Sequence, residues 1–489
     1  MFWRSAAILA LSTLGATAAL AAQPLSPDRR LAELRKSPPE LYDFLYRMPK
    51  GGDLHNHLSG AIYAEDFLSA AIEEHLCIDK AALAFIPCGP GQTEASAIQT
   101  DNPLRNSLID AFSMRNFVAG RQSGHDHFFD TFNLFGAAGS GNLIAGVVQR
   151  AADQNESYLE LMALSGGPVA ALGKAVGLTG DFDATRKQLE GGGLAKYVAA
   201  LSARVDEMER TRIAKLGCGQ TRESPACLVQ VRYVYQVLRE FPKEQVFAQV
   251  IAGFAAAAAD SRIVGVNFVQ AEDGYASMHD YGLHMKMVDY ARSLYPKVHI
   301  ALHAGELAPG LVPPDGLRFH IREALDIGHA ERIGHGVDVM YERDPIALLK
   351  EMRDRHTLVE INLTSNDVIL GVKGDEHPLP VYRKYGVPTA LSTDDEGVSR
   401  SQLTEEFKRA VLTYNLSYSD LKEMARNSIE YSFAPGDSYW KDHRYTAVAA
   451  PCAAVRKSPG CQAYLEKNDK ARLGADLEER FSAFERSLN

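Results

Sequence analysis

The sequence lacks the excess of positive charge that proteins use to bind nucleic acid or an anionic membrane. Its 489 residues include 52 Lys and Arg against 62 Asp and Glu, which gives a net charge of −10 at pH 7. Neutralising phosphate groups requires clustered cations, and the chain contains no such cluster. The composition therefore excludes nucleic acid as the expected partner and favours a small molecule.

Several enzyme signatures are also missing. The chain contains neither the HExxH motif of zinc proteases nor the GxSxG motif of serine hydrolases. It does not match the HxE and PCxxC pattern of the cytidine-deaminase type of zinc enzyme. No two cysteines stand in a CxxC zinc pattern, so the cysteines are not interpreted as metal ligands.

Long hydrophobic runs are absent except at the N-terminus. Residues 1–4 and the apolar run at 6–19 have the charged and hydrophobic regions of a secretory signal, and residues 19–21 form a small-x-small cleavage site. A membrane anchor is the alternative, but the run is shorter than the roughly 20 residues needed to span a bilayer. We therefore expect a signal peptide at residues 1–21 and an exported protein, periplasmic or secreted, with no membrane span after its removal.

The six cysteines fall into three pairs of near neighbours in sequence: Cys77 with Cys88, Cys218 with Cys227, and Cys452 with Cys461. Six cysteines allow about fifteen pairings, of which local pairing is the simplest. Six unrelated thiols are the alternative, but an exported protein is oxidised. We therefore expect disulfides.

Short β-rich runs alternate with longer helical stretches after the N-terminal segment. The eight candidate strands begin at Gly52, Tyr158, Leu228, Ile263, Val298, Arg332, Leu358 and Thr389. Strands separated by helices form parallel βαβ units. A doubly wound open sheet is the alternative, but no Gly-rich phosphate fingerprint follows the first strand. Eight strands favour a closed (β/α)8 TIM barrel.

The chain is longer than the roughly 250 residues of a bare barrel. We expect an N-terminal helical segment at 22–47 and a barrel at 48–440. Insertions are expected near 68–110 and 165–225, each closed by one cysteine pair. Residues 441–489 form a tail with the third pair.

Polar residues that could bind a metal follow four of the candidate strands. His55-Asn56-His57 ends the first strand, and side chains two residues apart on a strand point to the same face. The other candidates are His303 and Glu306 after the fifth strand, His335 after the sixth, and Asp394 with Asp395 after the eighth. The carboxyl ends of the strands form the catalytic face of a barrel.

Each candidate taken alone could be a core histidine or an aspartate that caps a helix. If such explanations held at all four strand ends, four unrelated polar groups would have come together by coincidence at one rim of the barrel. Three imidazoles and one carboxylate suit zinc and leave a position for water. A second HxH, formed by His125 and His127, does not end a strand, and we interpret it as structural or surface.

The motifs around these residues resemble those of the adenosine deaminase family, which lies within the metal-dependent amidohydrolases. Residues 48–60, MPKGGDLHNHLSG, resemble its MPKxDLHxHLxG signature, and HAGE, GHG, LTSN and STDD follow in family order. The resemblance spans about residues 45 to 435. The signal, the insertions and residues 264–273 are more similar to the secreted, growth-factor-type branch.

The resemblance implies hydrolytic deamination of a purine at C6, with one zinc ion per chain. The implied zinc ligands are His55, His57, His303 and Asp394. His335 would orient and polarise the attacking water. Glu306 would give a proton to ring N1, which requires a shielded site that raises its pKa. Asp395 would accept a hydrogen bond at the purine N7 edge.

Two positions depart from the family pattern. Ser59 stands where the family has an acid that meets the ribose, and Gln270 stands where it has a glycine near the purine. With His57 and Asp395, both are expected at the substrate. Adenosine or deoxyadenosine is the expected substrate, with adenine, an N6-modified purine or another amino-heterocycle as alternatives. A non-catalytic nucleoside-binding or signalling protein is a third possibility, which the complete set of ligands and proton-transfer groups disfavours.

Overall fold

Eight parallel strands close into a barrel in the computed structural model, which describes residues 25–120, 122–221, 224–453 and 458–488. The expected signal peptide lies outside the described residues. The barrel strands are β1 (Gly51–His57), β2 (Glu156–Ser165), β3 (Gln230–Leu238), β4 (Ile263–Val269), β5 (His299–Ala304), β6 (Arg332–His335), β7 (Leu358–Ile361) and β8 (Thr389–Leu391). They are hydrogen-bonded in chain order, which confirms the (β/α)8 barrel.

The barrel closes between its first and last strands at their carboxyl ends. Asn56 and Asp394 form a parallel bridge there. The backbone N–H of His57 donates to the carbonyl of Asp394 at 3.0 Å, and the N–H of Asp394 donates to the carbonyl of His55 at 2.8 Å. The residues of the expected metal site therefore also complete the barrel.

The strands are buried on both faces, as parallel strands covered by helices must be. All seven residues of β1 and all seven of β4 are buried. Four strands begin one or two residues away from the start expected from the sequence, namely β1 at Gly51, β2 at Glu156, β3 at Gln230 and β5 at His299. Leu228 belongs to a short 3₁₀ helix, Pro225–Leu228, that precedes β3, and β7 ends at Ile361 because a helix begins at Leu363.

Helices connect and surround the strands. Between β1 and β2 they are Leu58–Ala61, Ala64–Glu73, Asn102–Ala111, Gly124–Phe135 and Ile144–Asp153. From β2 to β5 they are Gly167–Val176, Phe182–Gly191, Leu194–Leu216, Lys243–Ala259, Tyr275–His279 and Tyr281–Leu294. From β5 to β8 they are His320–Asp326, Pro345–Asp354, Leu363–Leu370 and Leu379–Tyr385. After β8 they are Glu396–Ser399, Leu403–Tyr414, Tyr418–Glu430, Pro459–Lys467 and Asp469–Ser487. Within the described ranges, no helix has both the length and the apolar character needed to cross a membrane.

The structure contains the three local disulfides, Cys77–Cys88, Cys218–Cys227 and Cys452–Cys461. The first closes a small antiparallel sheet between β1 and β2, made of the strands Cys77–Asp79, Ala84–Ile86 and Thr93–Glu94. The second lies between helix Leu194–Leu216 and β3. The third lies in the C-terminal segment.

Both ends of the described chain pack against the barrel. Helices Pro27–Leu34 and Pro38–Arg47 precede β1, and each begins with a proline, which suits the first turn of a helix. Helix Asp469–Ser487 buries Phe481 and Phe484, and the Phe484 ring meets that of Phe44 edge-on at 5.1 Å. The C-terminal helix is thus part of the core rather than a free tail.

Candidate active site

Three imidazoles and one carboxylate meet at the carboxyl end of the barrel. His55 and His57 lie on β1, His303 on β5, and Asp394 three residues after β8. All four side chains are buried, and one potential ligand atom from each lies within 4.8 Å of the others. The structure thus brings together the four ligands expected from the sequence.

Each of the three imidazoles is held through its Nδ1 atom by a side-chain oxygen. The contacts are His55 to Glu360 Oε2 at 2.7 Å, His57 to Gln236 Oε1 at 3.0 Å, and His303 to Asn267 Oδ1 at 2.9 Å. An acceptor at Nδ1 places the proton of a neutral imidazole there. The Nε2 atoms therefore present lone pairs to the space between the rings.

These Nε2 atoms converge with the Asp394 carboxylate on one space. The Nε2 atoms of His57 and His303 lie 3.3 Å apart, and Asp394 Oδ1 lies 3.3 Å from the Nε2 atoms of both His55 and His57. His55 Nε2 is buried and has no hydrogen-bond partner within the described part of the chain. A cation among these atoms would relieve their repulsion, and a set of three nitrogens and one oxygen suits zinc. The residues therefore fit the metal that the sequence implies.

Asp394 is fixed by its backbone and by one hydroxyl group. Its φ of 61° lies in the left-handed region, which non-glycine residues seldom adopt, and the barrel-closing hydrogen bonds hold it there. Ser365 donates a hydrogen bond to its Oδ2 at 2.6 Å. Burial alone would raise the pKa of this carboxyl, but the neighbouring imidazoles, His55 first, lower it well below its ordinary value. Asp394 therefore has the anionic form that a metal ligand requires.

Glu306 lies beside this cluster as a neutral acid. The carboxylate of Glu272 positions its backbone by accepting from the N–H groups of Gly305 at 2.9 Å and Glu306 at 2.8 Å. Burial, and then the negative charge of Asp394, raise the pKa of the Glu306 carboxyl to about 8. The side chain thus meets the requirement that it be protonated near neutral pH.

A chain of hydrogen bonds sets the proton position on His335. The N–H of Leu379 donates to His377 Nδ1 at 3.1 Å, which leaves the His377 proton on Nε2. His377 Nε2 then donates to Asn366 Oδ1 at 3.0 Å. Asn366 Nδ2 donates to His335 Nδ1 at 2.9 Å, the shortest contact of that ring. His335 therefore carries its proton on Nε2, 3.7 Å from Glu306 Oε1.

Asp395 has the surroundings of a neutral carboxyl group, which can donate a hydrogen bond. Its carboxyl group is buried, and its Oδ1 has no hydrogen-bond partner among the described residues. Burial, and then the charge of Asp394, raise the pKa of Asp395 well above its ordinary value. Purine N7 carries a lone pair and no hydrogen, so only a protonated carboxyl can bond it. Gly60 leaves room for this group, since a Cβ there would lie 1.5 Å from Asp395 Oδ1.

A cavity of about 460 Å³ opens onto these groups. One wall consists of aromatic rings on helix Gly124–Phe135, namely Phe128, Phe129 and Phe132. Ser59 and Gln270, the two positions that depart from the family pattern, also line the cavity. His125 lies outside the metal cluster and contacts Asp273 through Nε2 at 2.9 Å.

Sequence reasoning missed the three residues that hold the imidazoles. Asn267 and Glu360 are each the single polar residue of a fully buried strand, β4 and β7, whereas Gln236 is one of several polar residues on the partly buried β3. A lone polar residue in a strand buried on both faces is the signal that could have found Asn267 and Glu360, because such a group needs a hydrogen-bond partner. Which imidazole each one holds depends on the closed barrel.

Comparisons with known proteins agree with the motifs. Residues 204–441 match the family model described as adenosine deaminase. An adenosine deaminase of Clostridium perfringens is 36% identical over 135 residues, which cover 27% of this chain and 37% of that protein. An adenine deaminase of Rhizobium leguminosarum is 30% identical over 207 residues, which cover 42% of this chain and 58% of that protein. The aligned segments thus cover less than two thirds of the length of each of these curated relatives.

A solved structure extends the comparison to most of the chain. Arabidopsis ADAL in complex with IMP superposes with a TM-score of 0.55 and 19% sequence identity, covering 90% of this chain and 99% of that one. Similarity at this level of identity concerns the fold. The barrel and the helices around it are therefore shared with that protein.

Proposed function

Over residues 204–441 the chain belongs to the adenosine deaminase family, and on this premise we propose that it is an aminohydrolase that converts adenosine or deoxyadenosine to inosine or deoxyinosine and ammonia. The observation that carries the proposal is a buried acid, Glu306, held neutral near pH 7 beside four converging metal ligands. A neutral acid in this place serves proton transfer to a ring nitrogen.

The three imidazoles and the carboxylate described above would hold the ion, and zinc fits their donor set. When bound, it supplies a Lewis acid that makes water nucleophilic at neutral pH. The Nδ1 contacts to Glu360, Gln236 and Asn267 keep the imidazoles oriented for this purpose.

Three side chains of the protein act on the purine and on the attacking water. Glu306 gives its proton to N1, which makes C6 electrophilic. Asp395, as a neutral acid, donates to N7 and fixes the ring in its plane. His335 directs its Nε2–H toward the oxygen that adds to C6. The bond from that oxygen to C6 forms, and the bond from C6 to the exocyclic nitrogen breaks. One proton of the water restores the Glu306 carboxyl, whose own proton has gone to N1, and the other joins the exocyclic amino group, which leaves as ammonia.

Adenine and N6-modified purines are the alternative substrates. Ser59 and Gln270 support this alternative because they stand where the family recognises the nucleoside. One of the relatives is itself named an adenine deaminase. The cavity of about 460 Å³ has room for either a purine base or a nucleoside.

Ultraviolet absorbance of adenosine tests the proposal, with purified protein of measured metal content and with and without a chelator. We expect a fall at the adenosine band that the chelator abolishes and that added zinc restores. Deoxyadenosine, adenine and N6-methyladenine form the comparison panel. Faster turnover of adenine would select the alternative substrate. Stoichiometric metal without turnover of any member would favour a nucleoside-binding protein.

A further inference from the structure

Four carboxyl groups line the cavity, and the proposed mechanism uses three of them. Glu306, Asp394 and Asp395 act on the base or hold the metal, whereas Glu240 has no part in these steps. Glu240 follows the carboxyl end of β3 by two residues. Its role therefore concerns a part of the substrate other than the purine base.

The protein holds Glu240 by one hydrogen bond to its carboxylate, one hydrogen bond from its backbone, and the close approach of a glycine. The N–H of Ser277 donates to its Oε1 at 2.6 Å, and its own N–H donates to Gln270 Oε1 at 3.0 Å. Gly274 lies so close that an added Cβ would stand 2.2 Å from the Glu240 carboxyl carbon. A surface glutamate without a function needs none of these contacts.

Gln270 adopts a strained backbone conformation in making one of these contacts. Its φ of 82° lies in the left-handed region that favours glycine. Arg239 Nε donates to its carbonyl oxygen at 2.8 Å, while its side-chain amide bonds the backbone of Glu240. The residue that replaces the family's glycine is therefore a support for Glu240.

Glu240 has acceptor capacity and no cationic partner to use it. Within the described part of the chain, no Lys, Arg or His lies within ion-pair distance of its carboxylate, and neither Lys nor Arg lines the cavity. A carboxylate offers about four acceptor positions, and Ser277 occupies one of them. The remaining positions suit hydroxyl groups of a neutral ligand.

The position of Glu240 in the cavity indicates which part of the ligand it meets. Glu306 and Asp395, which act on the purine, are 7% and 4% exposed, whereas Glu240 is only half-buried. The shielded end of the cavity thus holds the base, and the rim holds its substituent. A rim with a carboxylate and no Lys or Arg among the described lining residues disfavours a phosphate and favours a sugar.

We infer that Glu240 binds the sugar hydroxyls of a nucleoside substrate, in place of the acid that is absent at Ser59, and that Gln270 positions it. The inference rests on the proposed function and narrows its substrate to a neutral nucleoside. Glu240 accepts hydrogen bonds from one or more hydroxyls of the ribose, and it contributes to binding rather than to the chemical step.

The contact between Glu240 and the sugar hydroxyls is tested by removing first one partner, then the other, and then both. The kcat/KM values of native protein and Glu240→Gln are compared for adenosine and for its 2′-, 3′- and 5′-deoxy analogues. In the native protein we expect at least one analogue to react about ten- to hundredfold more slowly. In Glu240→Gln, kcat/KM for adenosine should fall by this same factor, mainly because KM rises. The kcat/KM for the same analogue should fall little further. If the ratio of kcat/KM between adenosine and each analogue is the same in the native protein and in Glu240→Gln, the inference is overturned.

Gly274→Ala is a second variant, in which the Glu240 carboxylate is retained but displaced. We expect the added methyl group to displace the Glu240 side chain and to reproduce the rise in KM for adenosine. Glu244→Gln, which removes a charge four residues away on helix Lys243–Ala259, is the matched control and should match the native protein. A native KM in Gly274→Ala would contradict the assigned position of the carboxylate.

Calorimetric titration separates this inference from the proposed function, because it needs no turnover. Inosine should bind Glu240→Gln about ten- to hundredfold more weakly than the native protein, and hypoxanthine should bind both equally. If the native protein deaminates adenosine while inosine binds both proteins equally, the inference fails and the proposed function stands. If no purine is deaminated, the proposed function fails, and the inosine titration still decides the role of Glu240.

Discussion

Glu306 is the residue on which the chemistry depends most. In Glu306→Gln the amide has the same shape but gives no proton to N1, so we expect kcat to fall by about 10²- to 10⁴-fold. Metal content should stay at the native level, because Glu306 is not among the four ligands. Turnover and bound zinc are measured on the same preparation. Native turnover in the variant would contradict the role of Glu306 as the acid.

The raised pKa of Glu306 also predicts a pH dependence. The neutral form predominates below the pKa of about 8, and the anion predominates above it. Since only the neutral form can protonate N1, kcat/KM for adenosine should decline as the pH rises through about 8. A profile that stays flat to pH 9.5 would show that this carboxyl is not the essential acid.

The residues of the candidate metal cluster could be predicted from the sequence, whereas the protonation of the site could not. His55 and His57 are two residues apart at a strand end, and this local spacing already places both imidazoles on one face. The raised pKa of the Asp395 carboxyl depends on its burial and on the charge of Asp394. Both are consequences of the folded chain, and the sequence pattern contains neither.

At the scale of elements, the segment after β7 controls the imidazole of His335. Asn366 lies on helix Leu363–Leu370, and His377 follows that helix. In His377→Leu the Asn366 amide loses the donor that orients it, so His335 is no longer restricted to one tautomer. We expect kcat to fall about 10- to 100-fold with KM nearly unchanged.

His377→Gln is the matched control for this hydrogen-bond chain. Its side-chain amide can donate to Asn366 Oδ1 as the imidazole does, so it should recover most of the lost kcat. Steady-state kinetics of both variants give the split between kcat and KM. If Gln and Leu reduce kcat equally, the effect comes from lost packing and not from orientation of His335.

Strands β2, β6 and β7 share a buried ionic network beneath the metal site. Arg332 donates to Glu160 and Glu360, each at 2.6 Å, and Glu360 also holds His55. Removing the single cation of this group leaves two buried carboxylates without a charge partner. We therefore expect Arg332→Met to lower the free energy of unfolding by about 3–5 kcal/mol.

Urea unfolding of the metal-free protein measures this change without a contribution from bound metal. Arg355→Met is the control, since Arg355 forms its ion pairs with Asp326 and Glu351 at the surface. Such exposed pairs contribute about 0–1 kcal/mol. Similar losses in the two variants would contradict a stabilising role for the buried network.

The eight strands could be predicted because buried parallel strands form continuous apolar runs separated by helices. The ion-pair partners of their buried charged residues across the barrel could not be predicted. Glu160, Arg332 and Glu360 lie on separate strands, and the sequence around each one does not indicate its partners. The short 3₁₀ helix before β3 was missed because its last residue, Leu228, and the following Val229 are apolar residues directly before that strand.

At the scale of the whole molecule, the three disulfides bear on where the protein works. They close sequence separations of 11, 9 and 9 residues, and loops of this length stabilise a fold by about 2–3 kcal/mol each when oxidised. Disulfides form and persist in oxidising compartments. Cysteine pairs retained in a reducing cytoplasm would contribute none of this stability.

We therefore predict that the full chain is exported and cleaved after Ala21 before its cysteines are oxidised. Protein recovered outside the cytoplasm should begin at Ala22, and its unreduced mass should be lower by the six hydrogens that three disulfides remove. A chain that lacks residues 1–21 should stay in the cytoplasm with six thiols and should unfold at lower urea concentration. N-terminal sequencing, intact mass and urea midpoints measure these properties. An uncleaved N-terminus on the oxidised protein would indicate a membrane anchor, and six free thiols in the recovered protein would contradict export to an oxidising compartment.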